Sequence, residues 1–308
     1  MAELFTRPVY FLEVHLVFAS AVWLAAWLLT SLRLGSATAK YWIWVATSLN
    51  FALPVGVVVD VLWGSHVWWA RPLGMVGDLG VRITSNGAFA ATLGAVWLLG
   101  AALVMARLVF RIRSEHLAAA RNLAEPERSF LLRGIPVLVS SERGVPAVDG
   151  LWRPHISLPR GIDRLLTERE LNAVLLHELT HAARRDNLIR LVQELALSIL
   201  WFHPLVWITG ARMALYRELS CDESVMRGAS GTDLMSALAK LAGPEEGPLL
   251  QATASSFLGR RLDGLAAGPP EKAGGAASAV LAVIFAAILL AAMFETVAHT
   301  ACCFVHVK

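Results

Sequence analysis

Three long apolar stretches crowd into the first 110 residues, and a fourth lies near the end of the sequence. Val9–Leu32 is a run of 24 mostly apolar residues. As a helix it would reach about 36 Å, enough for a hydrocarbon layer of about 30 Å. Tyr41–Trp63 is a second such run, with Pro54 as its expected kink. Ala88–Phe110 is the third and Ala276–His299 the fourth. Buried soluble helices are a poor alternative when three such runs fall within 110 residues. The fold class read from this pattern is a mainly α integral membrane protein with four transmembrane helices. Charge agrees, since 39 of the 51 Lys, Arg, Asp and Glu residues lie within 111–275. A water-facing domain is thus expected between the third and fourth spans, and 300–308 is a short tail. The formal net charge is only +3 and no Lys/Arg run marks a nucleic-acid surface, so no direct nucleic-acid partner is expected.

Orientation follows from the basic residues beside the spans. Arg107, Arg111, Arg113 and Arg121 cluster at the end of the third span, which places that end in the cytoplasm. The loop Gly64–Gly87, with Arg71, Arg82 and His66 as its basic groups, is then outside. The Arg33–Lys40 turn is inside and the N-terminus outside. Arg260, Arg261 and Lys272 precede the fourth span, which leaves Cys302, Cys303 and Lys308 outside. Trp23, Trp27, Trp42, Trp44, Trp63, Trp68 and Trp69 fall in or beside the first two spans, and most suit the interfacial belt. Ala37-Thr38-Ala39 has the small-x-small look of a signal cleavage site. The preceding run is too long for a signal peptide, and Arg33 interrupts it, so a retained helix is expected. Glu13 and His15 are read as interfacial or as paired with another span.

From Leu131 the pattern changes. Ile135–Ser140 (IPVLVS) and His155–Leu158 (HISL) are short β-branched runs between Gly, Pro and Ser, and read as strands. Gly144–Arg153 reads as their connection. Thr167 and Glu170 form a capping box. Leu171, Val174, Leu175 and Leu179 then recur at helical spacing, which predicts a helix to about Arg184.

That helix carries His177-Glu178-Leu179-Thr180-His181. Histidines at i and i+4 stack on one face, so both imidazoles reach one metal ion. Glu178 lies about 100° round the helix, off the ligand face but within reach of a water beside the metal. A catalytic zinc site of this pattern wants a third protein ligand and one open position. Tyr216–Glu223 (YRELSCDE) supplies it, with Glu218 and Asp222 at i and i+4. Glu218 is the expected third ligand, and Asp222 the carboxylate that orients a ligand imidazole. Asp186, five residues past His181, reads equally as a site carboxylate, a helix-end group or a surface one. Between the motifs, Leu188–Leu215 is nearly all apolar from Leu195 to Ile208 and broken at His203-Pro204. It reads as a buried hairpin or a re-entrant segment near the inner membrane surface, with His203 at a structural break.

HELTHAARRDN, the WFHPLVW stretch at Trp201–Trp207 and RELSCDE at Arg217–Glu223, following three spans, resemble the membrane metallopeptidases of the BlaR/MecR antirepressor type. KYWIWVATSLNF at Lys40–Phe51 and LPRGID at Leu158–Asp163 resemble bacterial members of that family. The resemblance covers nearly the whole chain up to the fourth span. It implies a multi-pass protein of the bacterial cytoplasmic membrane, with a cytoplasmic α+β gluzincin-like zinc protease domain at 111–275 cutting a protein substrate. By the same resemblance His177, His181 and Glu218 bind Zn2+ and Glu178 is the catalytic base. The β-lactam-sensing members continue into an extracellular penicillin-binding sensor with a Ser-x-x-Lys nucleophile. The sequence here ends at Lys308, so the resemblance implies the peptidase half without that sensor.

The expected reaction is zinc-assisted peptide-bond hydrolysis. The substrate is a cytoplasmic transcriptional repressor or the enzyme itself, entering as an added strand, with His155–Leu158 the suggested edge. Tyr216, Arg217 and His155 are candidates for stabilising the oxyanion. Two competing readings stand beside this one. The first is a housekeeping membrane-protein protease of the CAAX or heat-shock type. The second is a non-catalytic transducer whose structural zinc is closed by Cys221, three residues after Glu218. The adjacent Cys302 and Cys303 offer a link between two chains of a homodimer or a site of lipidation.

Overall fold

The computed structural model describes residues 2–32, 34–53, 87–124, 128–141, 145–241, 258–268 and 274–303. Ten helices and a four-stranded sheet are seen among these residues. They are α1 (Ala2–Ser31), α2 (Ala37–Ala52), α3 (Gly87–Ala124), β1 (Arg128–Leu132), β2 (Ile135–Ser141), β3 (Ala147–Asp149) and β4 (His155–Pro159), then α4 (Ile162–Leu165), α5 (Glu168–Arg184), α6 (Asp186–Ile199), α7 (Pro204–Gly228), α8 (Gly231–Leu241), α9 (258–266) and α10 (Gly274–Cys303).

Among the described residues, two helices are long and apolar enough to cross a membrane, over Ala91–Leu117 and Gly275–Met293, and His15–Ser31 is a shorter apolar helix. The helix that carries the third predicted span continues beyond Phe110, since α3 runs on to Ala124. Arg111 there pairs with Glu194 of α6 and with Glu115. The helix of the second predicted span begins before Tyr41, at Ala37 under an N-cap from Ser36. Its later half, Pro54, Trp63 and the Gly64–Gly87 loop up to residue 86 lie outside the described residues. His15 pairs across the bundle, its Nε2 lying 3.3 Å from the Phe51 carbonyl of α2. Trp44 is fully buried against Trp23 rather than interfacial, whereas Trp27 and Trp42 are exposed.

The sheet order is β1-β2-β4-β3, antiparallel except for the parallel β2–β4 pair. Both expected strands form. Two more were missed: β1, and the three-residue β3 within the stretch read as a connection, a length too short for any alternation to register. The suggested substrate edge is corrected by this order. His155–Leu158 belongs to β4, which is paired on both sides, and an interior strand has no free ladder to offer. The edges are β1 and β3. The carbonyls of Val148 in β3 and of Gly150 just after it accept from Asn187 Nδ2 at 3.0 and 3.2 Å.

One face of the sheet, through Val137, Ile156 and Leu158, packs on Val174, Leu175 and Leu179 of α5, with Val225 of α7 and Leu234 of α8 closing the core. Burying each such side chain contributes about 1.5–3 kcal/mol. A second core joins the helical bundle: Val22 and Ala26 of α1, Trp44 of α2, Leu281 and Phe285 of α10, and Met213 of α7. Helix α7 therefore runs from one core into the other. Residues 218 and 222 lie between Met213 and Val225, at the junction of the bundle and the sheet domain.

The chain from 188 to 215 is a helical hairpin. Helix α6 ends at Ile199, the backbone turns through 200–203, and Pro204 opens α7 at the position where its missing N–H costs nothing. The tip is held to α3 by tryptophans: Trp97 Nε1 donates to the Ile199 carbonyl at 2.9 Å, and Trp201 Nε1 to the Trp97 carbonyl at 3.1 Å. Trp201 packs where Gly100 has no side chain, since a Cβ there would meet its ring at 2.1 Å. Trp97 and Gly100 lie within the stretch of α3 that can cross a membrane.

Candidate metal centre

Local sequence rules build the first half of the centre. Thr167 Oγ accepts from the Glu170 backbone N–H while the Glu170 carboxylate accepts from the Thr167 N–H, so both halves of the capping box form and are worth about 1 kcal/mol. Glu170 also holds Lys240 at 2.7 Å and Ser236 of α8; these partners and Thr167 keep its pKa down at about 2. The start of α5 is thereby fixed, and His177 and His181 follow on the face turned to α7. Arg185 then takes a left-handed conformation, φ 57° and ψ 46°, ending α5 and starting α6 at a sharp corner. That corner turns Asp186 back onto His181.

Three donor atoms converge. Nε2 of His177 and Nε2 of His181 are 3.1 Å apart, and Oε2 of Glu218 lies 3.4 Å from the first and 3.7 Å from the second. Ligands around a tetrahedral zinc ion, each about 2.0–2.1 Å from it, stand about 3.3 Å from one another. The triangle therefore has the size of one face of such a tetrahedron, and two imidazoles with a carboxylate are a donor set that zinc favours. Glu178, beside His177 on α5, is half-buried.

Each imidazole is backed on its other nitrogen by a buried carboxylate. Asp186 Oδ2 is 2.7 Å from His181 Nδ1, and Asp222 Oδ1 is 3.0 Å from His177 Nδ1, close but poorly aligned for a hydrogen bond. Such partners fix ring orientation and the tautomer that leaves Nε2 free for a metal. Asp222 is in turn gripped by Arg261 of α9, through Nε at 2.8 Å and Nη2 at 2.7 Å, and Arg261 Nη1 lies 3.5 Å from Glu218 Oε2. Asp186 accepts from Nε and Nη2 of Arg184, each at 2.6 Å, and from the Tyr41 hydroxyl at 3.1 Å.

Electrostatics follow from this packing. Burial disfavours protonated His177, but the Asp222 and Glu218 carboxylates outweigh it and hold its pKa up at about 9. Burial likewise opposes protonation of His181, and Asp186, Cys221 and Glu218 overcome it, raising it well above the ordinary value. Glu218 is held well below the usual carboxylate range, the two histidines prevailing over desolvation. Asp222 and Asp186 are lowered in the same manner, burial being overcome by Arg261 with His177 and by His181 with Arg184. The surrounding carboxylates thus favour a protonated imidazole at the metal-free site, a preference that a bound cation must overcome.

Other sequence expectations part here. Cys221 Sγ is fully buried, 3.5 Å from Nδ1 of His181 and 3.2 Å from Arg184 Nη2. It stands on the opposite side of the imidazole from the Nε2 triangle, so the closed His-His-Glu-Cys site is not formed. Tyr216 points away and donates to the Thr30 carbonyl at 3.2 Å, and His155 is buried in β4. Of the three oxyanion candidates Arg217 alone adjoins the centre, holding Glu218 Oε1 at 3.1 Å. Arg261, read from sequence as a membrane-flanking charge, is instead buried against Asp222. Tyr41 and Arg184 carried no signal in the sequence, one lying inside an apolar run and the other beside a second arginine. Asp186 did, through its five-residue distance from His181.

The family model described as BlaR1 peptidase M56 matches residues 75–257, well over half of the chain and including both motifs. Among curated proteins, the chain is 28% identical over 181 residues to the regulatory protein BlaR1 of Bacillus licheniformis, covering 53% of this chain and 28% of that one. It is 24% identical over 178 residues to the methicillin resistance mecR1 protein of Staphylococcus aureus, covering 53% of this chain and 30% of that one. The chain thus matches less than a third of the length of these relatives. No solved structure matches it.

Proposed function

The chain belongs to the BlaR1 peptidase M56 family, and on that footing we propose that it is a membrane-embedded zinc endopeptidase with a cytoplasm-facing site, cutting a transcriptional repressor, itself or both in transmembrane signalling. The observation that carries the reading is the triangle of His177 Nε2, His181 Nε2 and Glu218 Oε2, with edges of 3.1, 3.4 and 3.7 Å. His177, His181 and Glu218 are its proposed ligands, with Asp222 orienting His177. Glu178 is the proposed general base. The housekeeping alternative lacks the family match, and the structural-zinc transducer lacks a fourth ligand, since Cys221 faces the wrong nitrogen.

A zinc ion supplies, when bound, a Lewis acid that polarises the scissile carbonyl and acidifies water. The side chains do the rest. Asp222 and Asp186 hold the imidazoles so that their Nε2 atoms face inward. Glu178 takes a proton from the attacking water onto its carboxylate and passes it to the leaving amine. Arg217 and Arg261 lie against Glu218 and help to balance its charge.

The proposed topology has three spans in 1–110, the peptidase domain in 111–275 and a fourth span at 276–299, with both ends outside. The α6–α7 hairpin fits it as a re-entrant element, because its tip lies against Trp97 and Gly100 and exposes Ile199, Phe202, Trp207 and Ile208. Its lipid partner is the bilayer; whether two chains pair is left to Cys302 and Cys303, whose side chains lie outside the described set.

Detergent-purified protein should cleave itself or a co-expressed repressor, and a zinc chelator should stop the cleavage and added zinc restore it. Cleavage that persists in chelator would exclude the metallopeptidase reading.

A further inference from the structure

We propose that Tyr41, on α2, is a positioning residue for the metal centre, acting through Asp186 on His181; this rests on the zinc-site reading above. Its hydroxyl donates to Asp186 Oδ1 at 3.1 Å, and the other carboxylate oxygen holds His181 Nδ1 at 2.7 Å. Tyr41 is 1% exposed and lies under the Arg184 guanidinium, 4.2 Å from the ring centroid. Its place is set from three sides. The Thr38 N–H and hydroxyl both reach Glu223 Oε2 of α7 at 3.2 Å, the Ser36 N–H donates to Ser278 Oγ of α10 at 2.8 Å, and Trp44 packs in the bundle core.

What the hydroxyl does follows from its surroundings. A cavity of about 280 Å³ opens beside Tyr41 and Asp186, lined also by Arg190, Gln193, Glu194 and Arg217. Apolar groups of Ile189, Met213 and Ala214 complete its wall, and beside these polar side chains it is roomy enough for water. Without the phenol, Asp186 Oδ1 has solvent in that cavity as a competing partner, and Arg184 alone is left to hold the carboxylate in line with His181. With it, the carboxylate is held by Arg184 on one side and Tyr41 on the other. Hydrogen bonds weaken steeply with distance and angle, so a shift of about one ångström between α2 and α6 breaks this one. The seating of α2 thereby sets how firmly a zinc ligand is held.

The test compares full-length Tyr41→Phe, Asp186→Asn, Thr38→Val and Glu218→Gln with the wild type in detergent. Zinc affinity is measured by competition with a chromophoric chelator, and melting of the metal-free protein is followed separately. Orienting partners of metal ligands are worth roughly 10–100-fold in affinity, so Asp186→Asn should fall in that range and Tyr41→Phe, one bond further out, near its lower end. Thr38→Val, which removes one of the contacts that seat Tyr41, should lower zinc affinity in the same direction and by less than Tyr41→Phe does. Tyr41→Phe with unchanged affinity, or with only a lowered metal-free melting temperature, overturns the proposal while leaving the zinc site standing. Should Glu218→Gln also bind zinc as the wild type does, the site reading itself fails and the proposal with it. If Tyr41→Phe does not fold, Tyr41→Met, which also lacks a donor, replaces it, and undiminished zinc affinity there overturns the proposal equally.

Discussion

Replacing Glu178 by glutamine should slow peptide cleavage by roughly a hundred- to ten-thousand-fold, the usual worth of a general base, and leave zinc bound. Glutamine keeps the length and shape of the side chain but cannot take a proton. The donor triangle is formed by His177, His181 and Glu218, none of which the substitution touches. Cleavage of the protein itself or of a co-expressed repressor, followed over time beside zinc per chain, reads both halves of the claim. Equal cleavage in wild type and variant would remove Glu178 from the mechanism. Loss of zinc in the variant would instead make Glu178 a ligand, against its place about 100° round α5 from His177.

The second large effect is at Asp222, which is 2% exposed and carries two jobs. It stands behind His177 and neutralises Arg261, whose guanidinium spans both of its oxygens. Asp222→Ala leaves that arginine buried without its main partner, which costs about 3–5 kcal/mol. It also frees the His177 ring, with an expected loss of roughly 10–100-fold in zinc affinity. Adding Arg261→Met to Asp222→Ala should recover much of the stability, because the uncompensated charge is gone, but little of the affinity. Thermal melting of the metal-free protein and chelator competition separate the two. Recovery of both by the second substitution would mean that Asp222 orients nothing.

The parts of the molecule legible in the sequence are those fixed by short-range rules. The capping box at Thr167, the His177/His181 pair one turn apart and the Glu218/Asp222 pair on α7 depend only on helical periodicity, and the helices carry them as spaced. The two β-branched strands announce themselves by composition. What escaped is set by chain topology. Arg261 reaches Asp222 from 39 residues further along, so nothing near either motif points to it, and its place before an apolar run suggested a different role. Tyr41 is one aromatic among many in an apolar stretch, and only the packing of α2 against α6 and α7 shows that its hydroxyl faces Asp186. The three-residue β3 is too short to declare a period, and with it went the order of the sheet. That is why β4 was taken for an edge.

The account stands on the ligand set of one zinc ion, and X-ray absorption at the zinc edge of the purified full-length protein tests it most directly. The proposal predicts a nitrogen and oxygen shell at about 2.0–2.1 Å with an imidazole scattering pattern from two rings and no sulfur. A sulfur shell at about 2.3 Å would contradict it, because it would bring Cys221 round to the metal and close the site.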